Sequence, residues 1–197
     1  MIGLENKNYE KVALIYDYLM QSVDYDSWVN YIKEITERFN FRPKKVLDLA
    51  CGTGNSTLPL AQKGYEVIGI DISEGMLDIA KTKAKEMGLN INFYKEDMRS
   101  FKVPEKVDMV VLYQDGINYL TSDKDLENAF STIKANLKPQ GLFVFDLHSV
   151  NKLPRGSNEA SVLEEKDFTL IWESYYDDIK DLWEISLQGF LKREDGL

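Results

Sequence analysis

The sequence predicts an α/β protein built on a doubly wound parallel sheet, and two observations predict it. Five short runs, "KVLDLA", "YEVIGIDI", "INFYKED", "VDMVVLYQ" and "GLFVFDLH", recur between residues 45 and 148 and are nearly continuous in apolar residues. Helical patterns near 56–63, 74–87 and 123–137 lie between them. Strands apolar on both sides and separated by helices fit a parallel sheet covered on both faces.

The elements follow in order. Two helices open the chain, because Tyr9, Val12, Ala13 and Tyr16 recur at helical spacing and Tyr25, Trp28, Val29, Ile32 and Ile35 do so again. Pro43 closes that segment. Ser73 and Ser122 stand where N-caps are expected, and Gly64 and Gly88 where left-handed C-terminal caps are expected. Pro139 with Gly141 is expected to end the third helix of the alternating region. No helix is expected between the third and fourth strands, where "RSFKVPEK" is short and proline-interrupted. After His148 a polar segment from Ser149 to Lys166 leads into two alternating runs, "DFTLIWESYY" and "DLWEISLQGFLKRE". In the second, Trp183, Ile185 and Leu187 share one face while Glu184, Ser186 and Gln188 take the other, a period of two. With "DDIKD" as the connection, this predicts an appended antiparallel hairpin, a lid or an interface rather than more core.

Composition narrows the function. With 197 residues the chain suits one domain with a sizeable core, and its 44% apolar and 29% charged content is that of a soluble globular protein. Its 24 basic against 33 acidic side chains, a formal charge of −9, argue against a broad footprint for a phosphate backbone, so no nucleic-acid partner is expected. Lys81, Lys83 and Lys85 read as a solvated helix face. Cys51 is the only cysteine, which excludes an intrachain disulfide and points to a reducing compartment. Charges at Glu5, Lys7, Glu10 and Lys11 do not suit a signal peptide, and no run approaches the length of a membrane span, so the expected location is cytoplasmic with no membrane partner. No His, Cys or carboxylate cluster has zinc spacing, and no metal is expected.

In open α/β sheets, ligands bind beyond the C-terminal strand ends. Four of those ends carry acids: Asp48 followed by Gly52 and Gly54, then Asp71, then Glu96, Asp97 and Met98, then Gln114 and Asp115. Any one of them alone reads as a turn or cap aspartate. Four in successive strands point to a site. The glycines allow a ligand to approach the backbone closely. The turn is not a dinucleotide fingerprint, since Thr57 stands where the third glycine would be, and it has no Gly-Lys-Ser or Gly-Lys-Thr ending for a phosphate loop. No cationic side chain lies between Lys45 and Lys63, so a nucleoside without phosphate fits better than a pyrophosphate. Asp71 stands where a carboxylate accepts from both ribose hydroxyls, a place NAD would also use. Asp97 can accept from an exocyclic adenine amine, with Ile72 and Met76 apolar against the ring.

Together "VLDLACGTGNS", "IGIDIS", "MLDIA", "YKEDM" and "GLFVFDL", in this order and spacing, resemble the class I S-adenosylmethionine-dependent methyltransferases. The opening "IYDYLMQSVDYDSWVNYI" resembles a small-molecule branch that includes sugar N,N-dimethyltransferases and related bacterial proteins. The resemblance covers about residues 9–149 and implies a Rossmann-like fold with S-adenosyl-L-methionine as cofactor. It implies that Ala50, Gly52 and Gly54 surround the methionine moiety, with Asp48 near its amine, that Asp71 holds the ribose, and that Ile72 and Met76 flank adenine. Asp97 and the Met98 backbone would read the adenine edge, and Tyr16 and Tyr25 would close over the carboxylate and sulfonium. Gln114, at the fourth strand end, joins this cofactor-binding set. The family turn commonly begins with glycine where this chain has Ala50. The family fold also adds a helix and two strands after the fifth, so the C-terminal strands are expected to be missing and the chain to be a shortened form.

The expected organisation is one methyltransferase domain over 1–197, with 1–40 as a helical lid, 41–149 as the cofactor-binding core and 150–197 as an antiparallel lid and acceptor region. The lid segments are expected to be more mobile than the sheet. Methyl transfer from a sulfonium is a direct displacement that needs few catalytic residues. His148, the only histidine, is the candidate base, and Tyr16 a second candidate catalytic group. Cys51 reads as packing. Asp115, Asn118 and Tyr119 suit either a polar acceptor or a capped turn. The expected partner is a small-molecule methyl acceptor bound between the opening helices and 167–192. Two rivals stay open: an NAD-dependent oxidoreductase, and a nucleoside-binding regulatory module without turnover.

Overall fold

The computed structural model describes residues 7–149, 156 and 158–192, the side chains of 7–11 and 14 excepted. The Tyr9 side chain and the stretch from residue 193 lie outside the described residues. The chain divides into two compact units, Met1–Leu147 and His148–Leu197.

The first unit holds helices α1 (Lys7–Leu19), α2 (Tyr25–Arg38), α3 (Thr57–Gln62), α4 (Glu74–Glu86) and α5 (Asp123–Asn136). Its strands are β1 (Lys45–Leu49), β2 (Glu66–Asp71), β3 (Asn92–Lys95), β4 (Val107–Leu112) and β5 (Leu137–Phe145). They form one sheet in the order β3-β2-β1-β4-β5, every pair parallel. This is the doubly wound sheet that the sequence predicts.

Alternation along the central strands builds two cores. Leu47, Leu49, Val110 and Leu112 pack with Phe101, Val103 and Ile133, whereas Val46, Met109, Val111 and Tyr113 pack with Val29 and Ile32 of α2 and Leu60 of α3. Caps fall where the sequence places them: Ser73 Oγ accepts from Met76 N–H at 3.3 Å and Ser122 Oγ from Asp125 N–H at 3.1 Å. The β3-to-β4 crossover has no helix among its described residues; Asn136 at the end of α5 holds it instead. That side chain accepts from Val103 N–H at 3.0 Å and donates to Phe101 C=O at 3.2 Å.

Two expectations need correction. Pro139 and Gly141 do not end α5, which stops at Asn136; they lie inside β5, where the register against β4 jumps from Val107–Leu137 to Met109–Leu142. An edge strand with an irregularity tolerates a residue that has no N–H to give the ladder. The second correction concerns the other unit, which is a three-stranded antiparallel sheet rather than a hairpin. It contains β6 (Asn158–Glu164), β7 (Phe168–Asp177) and β8 (Leu182–Leu191) in that order. The β7–β8 pair is the expected hairpin, turned by Asp177, whose Oδ1 accepts from Ile179 N–H and Lys180 N–H, each at 3.0 Å. β6 arises from the segment read as polar. Its side chains are exposed except the half-buried Leu163, so it has no apolar alternation and pairs through its backbone.

Candidate functional site

The site starts where β1 ends. Ala50, Gly52 and Gly54 take φ of +56°, +54° and +82°, so the backbone curls away from the strand through left-handed conformations. A Cβ on Gly54 would lie 3.1 Å from the Cβ of Ala80, a fully buried residue of α4. The glycine therefore lets α4 press against the turn. Cys51, buried in the turn, is pushed well above the ordinary thiol range by burial and then by Asp48, which suits packing and not nucleophilic attack.

Asp48 is buried, and one of its oxygens accepts from Ser56 Oγ at 2.7 Å and Thr57 Oγ1 at 2.6 Å. It thereby ties β1 to the start of α3. Burial raises its pKa to about 6, against the pull of those two hydroxyls. Asp71 accepts from Gly52 N–H at 2.8 Å and Ser73 N–H at 2.9 Å, which joins the end of β2 to the glycine turn. Burial again raises its carboxyl, with those backbone donors opposing.

Farther along the strand ends, Ile72 is half-buried, while Met76 is 1% exposed in the first turn of α4. Asp97 is held by Arg99, whose backbone N–H and Nε donate to Oδ1 at 2.8 and 2.9 Å; the guanidinium holds the carboxyl below its ordinary range. Met98, half-buried, packs against the core cluster that includes Ile70 and Phe101. Gln114 and Asp115 both have positive φ, +56° and +59°, and lead into a 3₁₀ turn over Gly116–Tyr119.

Tyr16 of α1 and Tyr25 at the start of α2 meet Ala50, Gly52 and Gln114 around a cavity of about 20 Å³. Burial first, then Tyr25 and Tyr119, push the Tyr16 phenol far above its ordinary value, so it is a neutral hydrogen-bond donor and not a base at neutral pH. The structure thus brings five of the sequence-identified residues to one cavity and sets Asp71 against Gly52 of its wall. His148 opens the second unit, its ring edge-on to Trp183 at 5.4 Å between centroids.

Sequence reasoning missed four residues here. Tyr113 lines the same cavity, 5% exposed, with a buried hydroxyl that has no hydrogen-bond partner. Its position at a strand end was the only available signal. Arg99 was hidden by the exposed character of its segment. Asp17 and Lys83 are joined at 2.8 Å, so Lys83 does not belong to a solvated face; α4 turns it inward toward α1. Among the described residues no group of three or more His, Cys, Asp or Glu is arranged to hold a metal ion, and no helix is long and apolar enough to cross a membrane.

The donor set fits a nucleoside. The glycines of the turn present backbone without side chains, a carboxylate stands at the next strand end, and Tyr113, with its buried and unpaired hydroxyl, is among the residues lining the cavity. The cation beside the turn, Lys83, is already engaged by Asp17 and Asn55, which leaves little for a pyrophosphate.

Comparison with known proteins agrees. Residues 46–141 match the model of a methyltransferase domain. A protein of Geobacillus sp. (strain WCH70) that carries methyltransferase in its name is 32% identical over 95% of this chain and 77% of its own length. The crystal structure of an S-adenosylmethionine-dependent methyltransferase from Clostridium acetobutylicum superposes with a TM-score of 0.82 at 31% identity, over 95% of this chain and 76% of that one. A sugar N-methyltransferase from Streptoalloteichus sp. shares the fold, with a TM-score of 0.67 at 21% identity over 89% and 77% of the two chains. A glycine turn backed by a strand-end carboxylate, a parallel sheet in the order 3-2-1-4-5 and relatives at this coverage lead to one conclusion: the chain belongs to the S-adenosylmethionine-dependent methyltransferases.

Proposed function

We propose that this protein transfers the methyl group of S-adenosylmethionine to a small-molecule acceptor by direct displacement. The observation that carries the reading is the cavity where Tyr16, Tyr25 and Tyr113 face the glycine turn, with Asp71 bonded to Gly52 behind it. When bound, the cofactor supplies a methyl group on a sulfonium, a leaving group that is already good. What the chain must add is alignment and exclusion of water.

In this reading Ala50, Gly52 and Gly54 hold the methionine portion and Asp48 stands near its amine. Asp71 accepts from the ribose hydroxyls in addition to the two backbone donors it already has. Ile72 and Met76 lie beside adenine, and Asp97, charged and fixed by Arg99, accepts from the adenine amine with the Met98 backbone alongside. Tyr16 and Tyr25 cover the sulfonium side, and Gln114 contributes from the fourth strand end. Residues 1–40 act as the lid. A base is needed only if the acceptor must lose a proton, and His148 is the candidate for that task.

The acidic charge of the chain supports a small acceptor over a nucleic acid. The test is incubation of the purified protein with isotopically labelled S-adenosylmethionine and a cell metabolite extract. Label appearing in a low-molecular-weight compound is the expected result. Label only in protein or nucleic acid would refute the small acceptor, and bound cofactor without any transfer would favour the regulatory module. Failure to bind S-adenosylmethionine at all would refute the site.

A further inference from the structure

We propose that Asp17 is a positioning residue for this site: its carboxylate latches α1 across the glycine turn onto α4, which sets Tyr16 over Gly52 and governs how fast the nucleoside enters and leaves. The inference rests on the reading of the turn as a cofactor site.

The contacts are specific. Asp17 Oδ1 accepts from Thr53 Oγ1 at 2.5 Å and from Asn55 Nδ2 at 2.9 Å. The other oxygen, Oδ2, accepts from Lys83 Nζ at 2.8 Å, and the same ammonium donates to Asn55 Oδ1 at 2.6 Å. One carboxylate thus joins three segments, 36 to 66 residues apart in sequence. Thr53 is fully buried, and the Lys83 side chain is 24% exposed. Burial alone would raise the Asp17 carboxyl, but hydrogen bonds from Lys83 and Thr53 outweigh it and hold the group below its ordinary value.

This differs from an ordinary surface ion pair, which contributes little. Asp17 has three donors at once, each on a different residue, and a partly buried network with its members satisfied is stronger than its separate pairs. Its position decides what the latch controls. Tyr16 is the preceding residue, and its ring edge lies 3.8 Å from where a Cβ on Gly52 would stand. With α1 latched, the cavity measures about 20 Å³. Small-molecule pockets run to roughly 300 Å³ and above, so α1 must lift for a nucleoside to pass. Lifting it breaks the contacts to Asp17.

The test uses the full chain and the variants Asp17→Ala, Asp17→Asn, Lys83→Met and the Asp17→Ala/Lys83→Met pair. Rates of S-adenosylhomocysteine association and release are read by stopped flow. Asp17→Ala should release the nucleoside about tenfold faster or more, since it removes hydrogen bonds to a charged group. Asp17→Asn, which keeps an acceptor for Thr53 or Asn55, should fall between it and the wild type. The double variant should be no faster than Asp17→Ala. Unchanged release rates in folded Asp17→Ala, or a double variant faster than Asp17→Ala, would overturn the latch. Hydrogen exchange without nucleoside gives an independent readout: amides of α1 and of residues 52–55 should exchange faster in Asp17→Ala. Equal protection there would also overturn it. A wild type that binds no S-adenosylhomocysteine yet shows the exchange difference would instead refute the cofactor reading and leave the latch standing.

Discussion

Ala50 holds φ at +56°, a conformation that costs an L-residue roughly 1–2 kcal/mol and glycine almost nothing. Replacing it by glycine also loosens the unfolded chain, a loss of about 0.4–1 kcal/mol. The first term exceeds the second, so Ala50→Gly should stabilise the protein by about 0.5 kcal/mol, read as a higher midpoint in urea. A lower midpoint would mean that the Ala50 methyl group makes packing contacts worth more than the strain. Asp71 shows how the structure changes an expectation. Read from the strand end alone, it faces only a ligand; in the fold it also accepts from Gly52 and Ser73. Asp71→Ala should therefore cost about 2 kcal/mol of stability as well as weaken S-adenosylmethionine by about one to two powers of ten. Asp78→Ala, whose carboxylate pairs with exposed Lys81, should change neither. Denaturant titration and calorimetry on the two variants separate these effects.

Among the elements, the crossover from β3 to β4 depends most on a single side chain. A stretch without helix carries backbone groups that something else must satisfy, and Asn136 of α5, 7% exposed, satisfies two of them. Asn136→Ala should destabilise by about 2–4 kcal/mol, because Val103 N–H and Phe101 C=O are left buried without a partner. Asn136→Asp should lose at least as much at neutral pH, because a carboxylate keeps the bond from Val103 N–H but cannot donate, and its buried charge faces the carbonyls of Phe101 and Thr132; a urea titration of both variants checks the order. The helix caps were legible beforehand because serine at an N-cap acts within three residues, as Ser73 and Ser122 do. Asn136 was not legible, since its partners lie 33 and 35 residues away and nothing local marks them.

At the scale of the whole molecule, the buried acid of the first strand sets a pH dependence. Asp48 rises from 3.8 to about 6 on folding. A carboxyl whose folded pKa exceeds its unfolded value binds its proton more tightly in the native state. It therefore opposes folding above about pH 6, by about 3 kcal/mol, and the opposition fades as pH falls from 6 toward 3.8. Asp48→Asn places an uncharged acceptor before Ser56 and Thr57, so it should be more stable than the wild type at pH 8 and lose that advantage near pH 4. Chemical denaturation at the two pH values measures it; an equal difference at both would refute the assignment. Asp17 works with the opposite sign, its lowered pKa giving stability that is present above the unfolded value and lost as pH falls through the folded one.

The sequence by itself determined the layering, the five parallel strands, their helices and the glycine turn with its acids, because each of these follows from local periodicity, caps and strand-end position. It also named Tyr16, Tyr25, Ala50, Gly52 and Gln114, which the fold gathers around one cavity. Tertiary structure alone decided what those acids touch. Asp71 turns to the backbone of Gly52, Asp97 to Arg99, and Lys83, one of three similar lysines on a helix, turns inward to Asp17 while Lys81 and Lys85 stay exposed. It also decided that Asn158–Glu164 is a strand, for a strand held by backbone pairing with its side chains in solvent has no hydrophobic period to read. Hydrogen bonds between residues distant in the chain depend on where the packed layers bring them, and a linear pattern records which side chains can pair but not which of them meet.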